Sequence, residues 1–221
     1  HFDEGSGTTT ADASGNGGAG TLVGNTKWVD GVFGKAVECD GLSTGVRVPD
    51  NDKLDMTGDF SVEAWIKPTQ QGFASFQPVE GTIVCKHQDR NKTSAGWWLR
   101  IGYFGFNGLV FAGHSFVEFA GSPDFEAKGW MFIAFTYAKS SGEAAFYING
   151  ERVATRVKDG LTAKPVETSI IRKTIGNNNL PFMIGGESSQ DDPNKPKANF
   201  EGLIDELRMS HTVRSAAEIK A

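Results

Sequence analysis

Near the end of the chain, residues 199–209 read NFEGLIDELRM. Phe200, Leu203, Ile204, Leu207 and Met209 give this run the apolar character of a strand, yet Asp205 and Glu206 stand side by side in its middle. Carboxylates set into a β-run are costly unless something pairs with them. A cation is the simplest partner. A second constellation lies in Trp97-Trp98-Leu99-Arg100-Ile101. Side chains alternate across a strand, so Trp97, Leu99 and Ile101 share one face and Trp98 and Arg100 the other. If the first set is core, Trp98 and Arg100 face solvent. By the same alternation Ile83 and Cys85 point inward, and Val84 and Lys86 join the outer face. A Trp flanked by Arg and Lys suits a sugar: the indole covers the apolar C–H face and the cations bond hydroxyls, carboxylates or sulfates. The competing expectation is that a loop, 69–81 or 187–199, lies over Trp98 and makes it a second layer of core.

Catalytic patterns are missing where they would be legible. Glycosidases of the common kind need two carboxylates flanking the scissile bond. Glu63, in SVEAWIKP, is a lone acid, and Glu118, Asp124 and Glu126 are spread over a stretch that reads as loop. No Ser/His/Asp or Cys/His arrangement has recognisable local context, and no Gly-rich phosphate loop is present. The two cysteines, Cys39 and Cys85, form no C-x-x-C, which argues against a zinc site or a disulfide scaffold. They read as buried thiols, with a single bridge as the alternative.

The elements that must position these residues are strands. Apolar runs recur at 35–39, 45–48, 60–67, 82–86, 97–101, 109–112, 116–119, 130–137, 144–148, 152–155, 182–184 and 200–209, punctuated by Gly, Asn, Asp and Pro. In the 60–67 run Phe60, Val62, Ala64 and Ile66 share a face. Asn149-Gly150 between two such runs predicts a type I′ hairpin. Helix signals are confined to a turn within 51–57 and a capping-box spacing, Ser215 to Glu218, near the end. Glycine makes up 28 of the 221 residues, nearly twice the usual ~7 %, and is scattered between the runs as turns. This pattern predicts an all-β, two-sheet antiparallel sandwich, residues 1–221 forming a single domain. The net charge of −5 with no basic stripe argues against nucleic acid as a partner. No apolar run approaches the ~18 residues of a membrane span, and the sequence, opening on HFDEGSG without a signal-peptide pattern, reads as a mature or excised module whose export signal was lost or never included.

Taken in order, FDEGSGTTTADASGNGG, GVFGKAVECDG, VRVPD, LDMTGDFSVEAWIKP, GWWLRI, GWMFIAFTY, FYINGERVA, TIGNNNLPFMIGG and FEGLIDELRMSHTVRSAAEI resemble the landmarks of the laminin-G-like/concanavalin A-like jelly-roll family across nearly the whole chain. Departures are Met131 and Phe132 where relatives commonly carry histidines, and Cys39 where an aromatic is usual. The resemblance implies two face-to-face antiparallel sheets of about six or seven strands each. It also implies a structural Ca²⁺ where the N-terminal strand, an early loop and the last strand meet. The matching positions are Asp3 with Glu4 beside it, Asp40, Gly41, Ser43 and Asp205, an oxygen set that suits a hard cation. Without the ion, Asp3 would cap a turn, Asp40 would make an Asx-turn with Gly41, and Asp205 would pair with Arg47 or Arg208. The expected function is a non-catalytic carbohydrate-binding module, part of a larger secreted or cell-surface protein, with Trp98, Arg100 and Lys86 as its glycan contacts. The alternatives are an adhesion or protein-interaction module and an atypical glycoside hydrolase or polysaccharide lyase.

Overall fold

The computed structural model describes residues 1–16, 18–69, 81–87, 96–103, 106–113, 118–122, 129–159, 166–172, 175–189, 192, 196, 197 and 199–220. Numbered along the chain, its strands form a ten-stranded and a seven-stranded sheet. The ten-stranded sheet runs β1 (Thr9–Thr10), β2 (Gly20–Val23), β5 (Gly45–Val48), β16 (Phe182–Ile184), β7 (Gly81–Lys86), β8 (Trp97–Tyr103), β9 (Phe106–Gly113), β10 (Glu118–Gly121), β14 (Arg156–Asp159), β15 (Val166–Glu167). The seven-stranded sheet runs β13 (Glu151–Val153), β12 (Glu143–Ile148), β11 (Met131–Ala138), β6 (Phe60–Pro68), β17 (Glu201–Ser210), β4 (Lys35–Asp40), β3 (Lys27–Asp30). Every pairing between these strands is antiparallel. The seven-stranded sheet has the size the family resemblance implies. The other is larger because short polar strands, among them β1 (TT) and β15 (VE), extend its two edges. Such pieces carry no apolar alternation, so nothing in their sequence marks them as strands.

The core lies between the sheets. Phe60, Val62, Ala64 and Ile66 are all buried, as their alternation requires, and face Trp97, Leu99 and Phe111 of the other sheet. Phe60 bridges the layers, with ring centroids 5.7 Å from Trp97, 6.0 Å from Phe111 and 5.8 Å from Phe135. Phe111 and Phe135 stack across the interface at 4.2 Å and 14°. Ile133, Phe146 and Ile204 are buried beside them, while Ile148 and Leu207 are half-buried against this cluster.

Local signals act where they should. Asn149 (φ 52) and Gly150 (φ 79) form the β12–β13 turn in the left-handed conformation a type I′ hairpin needs. The short helix α1 (Ala216–Lys220) begins with a reciprocal capping box: Ser215 N donates to Glu218 Oε2 at 2.8 Å and Glu218 N to Ser215 Oγ at 3.3 Å. Cys39 and Cys85 are free and fully buried. Burial, with Asp40 and Glu38 nearby, pushes the Cys39 thiol up to about 12; burial, then the charge of Glu187, pushes Cys85 up as well. Of the two polar insertions, 69–81 lies almost wholly outside the described residues and 187–199 is described in part.

Candidate functional site

The expected sugar platform is interior. Trp98 and Lys86 are 1 % exposed and Arg100 is 3 % exposed. Two structural facts account for this. First, the β7–β8 register slips between Thr82 and Val84, a β-bulge at Ile83. The extra residue reverses the phase of the strand, so Val84 points into the main core and Cys85, opposite Trp98, points away from it. Lys86 is therefore not on the face of Trp98 at all. It pairs with Trp97, and its Nζ is held by Asp55, by Asp50 Oδ1 at 2.7 Å and by Asn177 Oδ1 at 3.4 Å. Second, the chain after β16 lies over the outer face. Glu187 and Lys197 exchange backbone hydrogen bonds, and Glu187 Oε1 accepts from Thr82 Oγ1 at 2.8 Å and pairs with Arg100 at 3.2 Å. Arg100 in turn sits 5.0 Å above the Trp98 ring. Cys85, Trp98, Val110, Ala112 and Met183 make a second, smaller apolar cluster there. The second-layer alternative for Trp98 is the observed one.

The expected calcium ligands do not converge either. Asp40 ends β4 at the turn into β5, whereas Asp205 lies level with the opposite end of β4, since Glu201 pairs with Asp40 and Ile204 with Val37. Asp40 makes the Asx-turn with Gly41 and Ser43: its Oδ1 accepts from Leu42 N (2.8 Å), Ser43 N (3.0 Å) and Thr44 Oγ1 (2.8 Å). Burial raises its carboxyl, but these bonds outweigh that and hold it below the usual range. Asp205 is fully buried and pairs with neither Arg47 nor Arg208. Its Oδ2 accepts from Val32 N (2.8 Å) and Phe33 N (3.2 Å), its Oδ1 from Glu206 N (2.7 Å). Burial dominates, and the carboxyl lies above its ordinary range despite the three amides. Asp3 Oδ1 accepts from Lys35 N at 3.0 Å. Asp3 and Asp205 thus grip opposite ends of one turn, 31–35, and join the N-terminal arm to the last strand through it. Glu206 adopts φ 50 in a bulge of β17, where two residues stand against one between the Asp205–Trp65 and Arg208–Glu63 pairs. A non-glycine residue there is strained. The bulge turns Glu206 toward the N-terminal arm, and ligand atoms of His1, Asp3 and Glu206 lie within 4.8 Å of one another.

That same bulge borders the groove that the residue pattern left unremarked. The alternation that buries Phe60, Val62, Ala64 and Ile66 sends Ser61, Glu63, Trp65 and Lys67 to the outer face of the seven-stranded sheet. The C-terminal segment crosses half of this face: Ser61 Oγ donates to Thr212 O at 2.7 Å, Arg214 N donates to Ser61 Oγ at 2.9 Å, and Ile219 of α1 packs on Ala134, Ala145 and Tyr147. Beyond its edge opens a groove lined by Phe33, Trp65, Phe132, Glu63, Glu206 and Arg208, one arm of a cavity of about 1140 Å³ that also runs along the N-terminal arm to the edge of the other sheet. Phe33 is 59 % exposed at the tip of the turn held by Asp3 and Asp205; Trp65 and Phe132 are half-buried. The three rings form a row, Phe33–Trp65 at 6.4 Å and 77° and Trp65–Phe132 at 5.5 Å and 47°. Next to the row Glu63, 1 % exposed, faces two guanidinium groups, Arg208 Nε at 2.6 Å and Arg214 Nε at 3.3 Å. Aromatic faces beside fixed polar groups are what an amphipathic ring needs.

A family model described as the concanavalin A-like lectin/glucanases superfamily matches residues 40–220. The chain belongs to that superfamily. No curated protein matches the sequence. Among solved structures, this superfamily member is similar to domain 4 of AbnA, an extracellular GH43 arabinanase from Geobacillus stearothermophilus, in complex with arabinotriose: 23 % identity, TM-score 0.59, over 95 % of this chain and 90 % of that one. It is similar to the Ruminococcus gnavus IT-sialidase CBM40, at 15 % identity and TM-score 0.53 over 84 % and 94 % of the two chains. It also superposes on Trypanosoma rangeli sialidase with the inhibitor DANA, at 12 % identity and TM-score 0.62, covering 99 % of this chain but 31 % of the sialidase. At these identities the likeness establishes the jelly-roll sandwich of the superfamily.

Proposed function

We propose that this is a non-catalytic carbohydrate-binding module of a secreted or cell-surface protein, and that it binds glycan in the groove on the outer face of the seven-stranded sheet. The observation that carries the reading is the Phe33–Trp65–Phe132 row lying against the Glu63–Arg208 pair. The indole and phenyl faces cover sugar C–H groups, and the Arg208 guanidinium, half-exposed and oriented by buried Glu63, offers donors to hydroxyls. The fold-level likeness to an arabinanase domain solved with arabinotriose and to a CBM40 supports the same class. The non-catalytic part is supported by Glu63, whose two oxygens face Arg208 and Arg214 instead of an open cleft. Among the described residues no helix is long and apolar enough to cross a membrane.

The reading includes a structural Ca²⁺. Asp40 and Asp205 do not fit the role, because they stand level with opposite ends of β4 and because backbone amides and Thr44 take up Asp40 Oδ1 and both oxygens of Asp205. Asp3 and Glu206 fit it better, as carboxylates whose oxygens approach one another on the joined N-terminal arm and last strand. The ion would supply a clamp between those segments and no chemistry.

The deciding experiment is a glycan array with the purified domain beside its Trp65→Ala variant. We expect binding to a subset of glycans and a loss of at least about tenfold in the variant, the share a central aromatic supplies to a small interface. An array with no responsive glycan, or one on which the folded variant binds unchanged, would reject the function or the site respectively.

A further inference from the structure

The groove's shape and charge narrow the ligand class. We propose that it takes neutral, soluble glycan chains, and that acidic polysaccharides and crystalline surfaces are not its ligands; this rests on the carbohydrate-binding reading above. Size comes first. The groove is one arm of a cavity of about 1140 Å³ that continues past the N-terminal segment to Gly20, Val48 and Ile184 of the other sheet, so the aromatic row lies along an extended trough and not in a pocket closed around a single ring.

Ring geometry is the second argument. A crystalline polysaccharide presents a plane and rewards aromatic rings that share that plane. Here successive rings turn by 77° and 47°, so no plane touches the faces of all three. A free chain, able to twist from one sugar to the next, can present a C–H face to each ring in turn. Phe33 stands at the tip of a turn whose backbone is pinned by Asp3 and Asp205 through amides, which sets where its ring is carried.

Charge is the third. The chain carries −5 overall, and the Asp and Glu side chains lining the groove are balanced by its Lys and Arg. The guanidinium beside the aromatic row, Arg208, has its side chain 52 % exposed, but its Nε is bonded to buried Glu63 at 2.6 Å. Arg214 faces the same carboxylate and also donates to the Glu218 carbonyl at 3.1 Å. A polyuronate would enter an acidic molecule and meet no surplus of positive charge. Hydroxyls need donors and acceptors side by side, which a balanced lining supplies.

The test is affinity electrophoresis of the full chain in debranched arabinan, arabinoxylan, galactan and polygalacturonate, at low and high salt, with a pull-down on microcrystalline cellulose. The expected result is retardation by at least one neutral polymer, changing less than about twofold between salt conditions, because no long-range charge attraction contributes. Trp65→Ala should abolish that retardation. Binding confined to polygalacturonate and lost about tenfold or more at high salt would overturn the neutral class, and retention on cellulose would overturn the soluble-chain assignment. Both leave the carbohydrate-binding reading standing. Failure to bind any of these polymers or any glycan on the array overturns both.

Discussion

Trp65 and Trp98 carry the same indole into opposite settings. Trp65 is half-buried at the groove, whereas Trp98 is sealed between Arg100 and the small cluster of Cys85, Val110, Ala112 and Met183. Truncating them should separate binding from stability. Trp98→Ala should lower the free energy of unfolding by about 3–5 kcal/mol, the usual cost of emptying a buried Trp site, and leave affinity unchanged in whatever remains folded. Urea unfolding followed by titration of the folded fraction reads both; a variant that keeps its stability would show that the covering segment is not a true second layer. Asp40 supports a pH prediction. Its folded carboxyl lies below the ordinary Asp value of 3.8, so the stability it contributes is present above that value and disappears as pH falls through the folded one. Asp40→Asn keeps the Oδ1 acceptor but cannot titrate. Its melting temperature should fall less steeply than wild type below about pH 4, and identical acid limbs would detach Asp40 from acid sensitivity. At this scale the Asx-turn of Asp40, the alternative to its expected calcium role, was legible because it needs only its own neighbours. The sequence misled about Trp98, because the Arg100 that covers its ring is held by Glu187, almost ninety positions later.

Two bulges decide what the elements present. In β7 every side chain is buried, so the TIVCK run has no polar phase from which an inserted residue could be noticed. Strict alternation carried across Ile83 therefore assigned Val84, Cys85 and Lys86 to the wrong faces. In β6 the same alternation succeeded on the inner side, and its complement already pointed Glu63 and Trp65 outward. The signal for the groove was present, but the row becomes visible only once β11 and the 31–35 turn are set beside β6. The bulge in β17 gives a test of its own. Glycine inside a strand normally costs stability, yet Glu206 sits at φ 50, where glycine is at ease. Glu206→Gly should be neutral to stabilising by about 1 kcal/mol in the absence of divalent ions. A marked destabilisation in chelator would show that the Glu206 side chain, bonded to His1 Nδ1 at 2.5 Å, outweighs the backbone strain.

For the molecule as a whole, the architecture follows from strand periodicity and aromatic mass. The family resemblance and the observed sheets agree, the short polar edge strands aside. The calcium expectation becomes a statement about global stability. An ion that binds only the folded form raises stability by RT ln(1 + [L]/Kd), about 2.7 kcal/mol at a hundredfold excess over Kd. Added Ca²⁺ should raise the melting temperature, chelator should reverse the rise, and Asp3→Ala should abolish it. A melting temperature indifferent to both would leave the 31–35 turn held by amide–carboxylate bonds alone.

The buried thiols give the molecule two internal clocks. Cys39 lies in β4 of the seven-stranded sheet and Cys85 in β7 of the ten-stranded one, so each layer carries one reporter. With the Cys39 thiol raised to about 12 by burial, and Cys85 raised too, almost no thiolate exists at neutral pH to meet a labelling reagent. Modification must wait for the surrounding strands to open. If the sandwich opens as one unit, both cysteines will label with the same free energy of opening and lose protection together in mild denaturant. If the segment over the ten-stranded sheet peels away first, Cys85 will label ahead of Cys39, and the interval between the two will measure how far one face can loosen while the other stays closed.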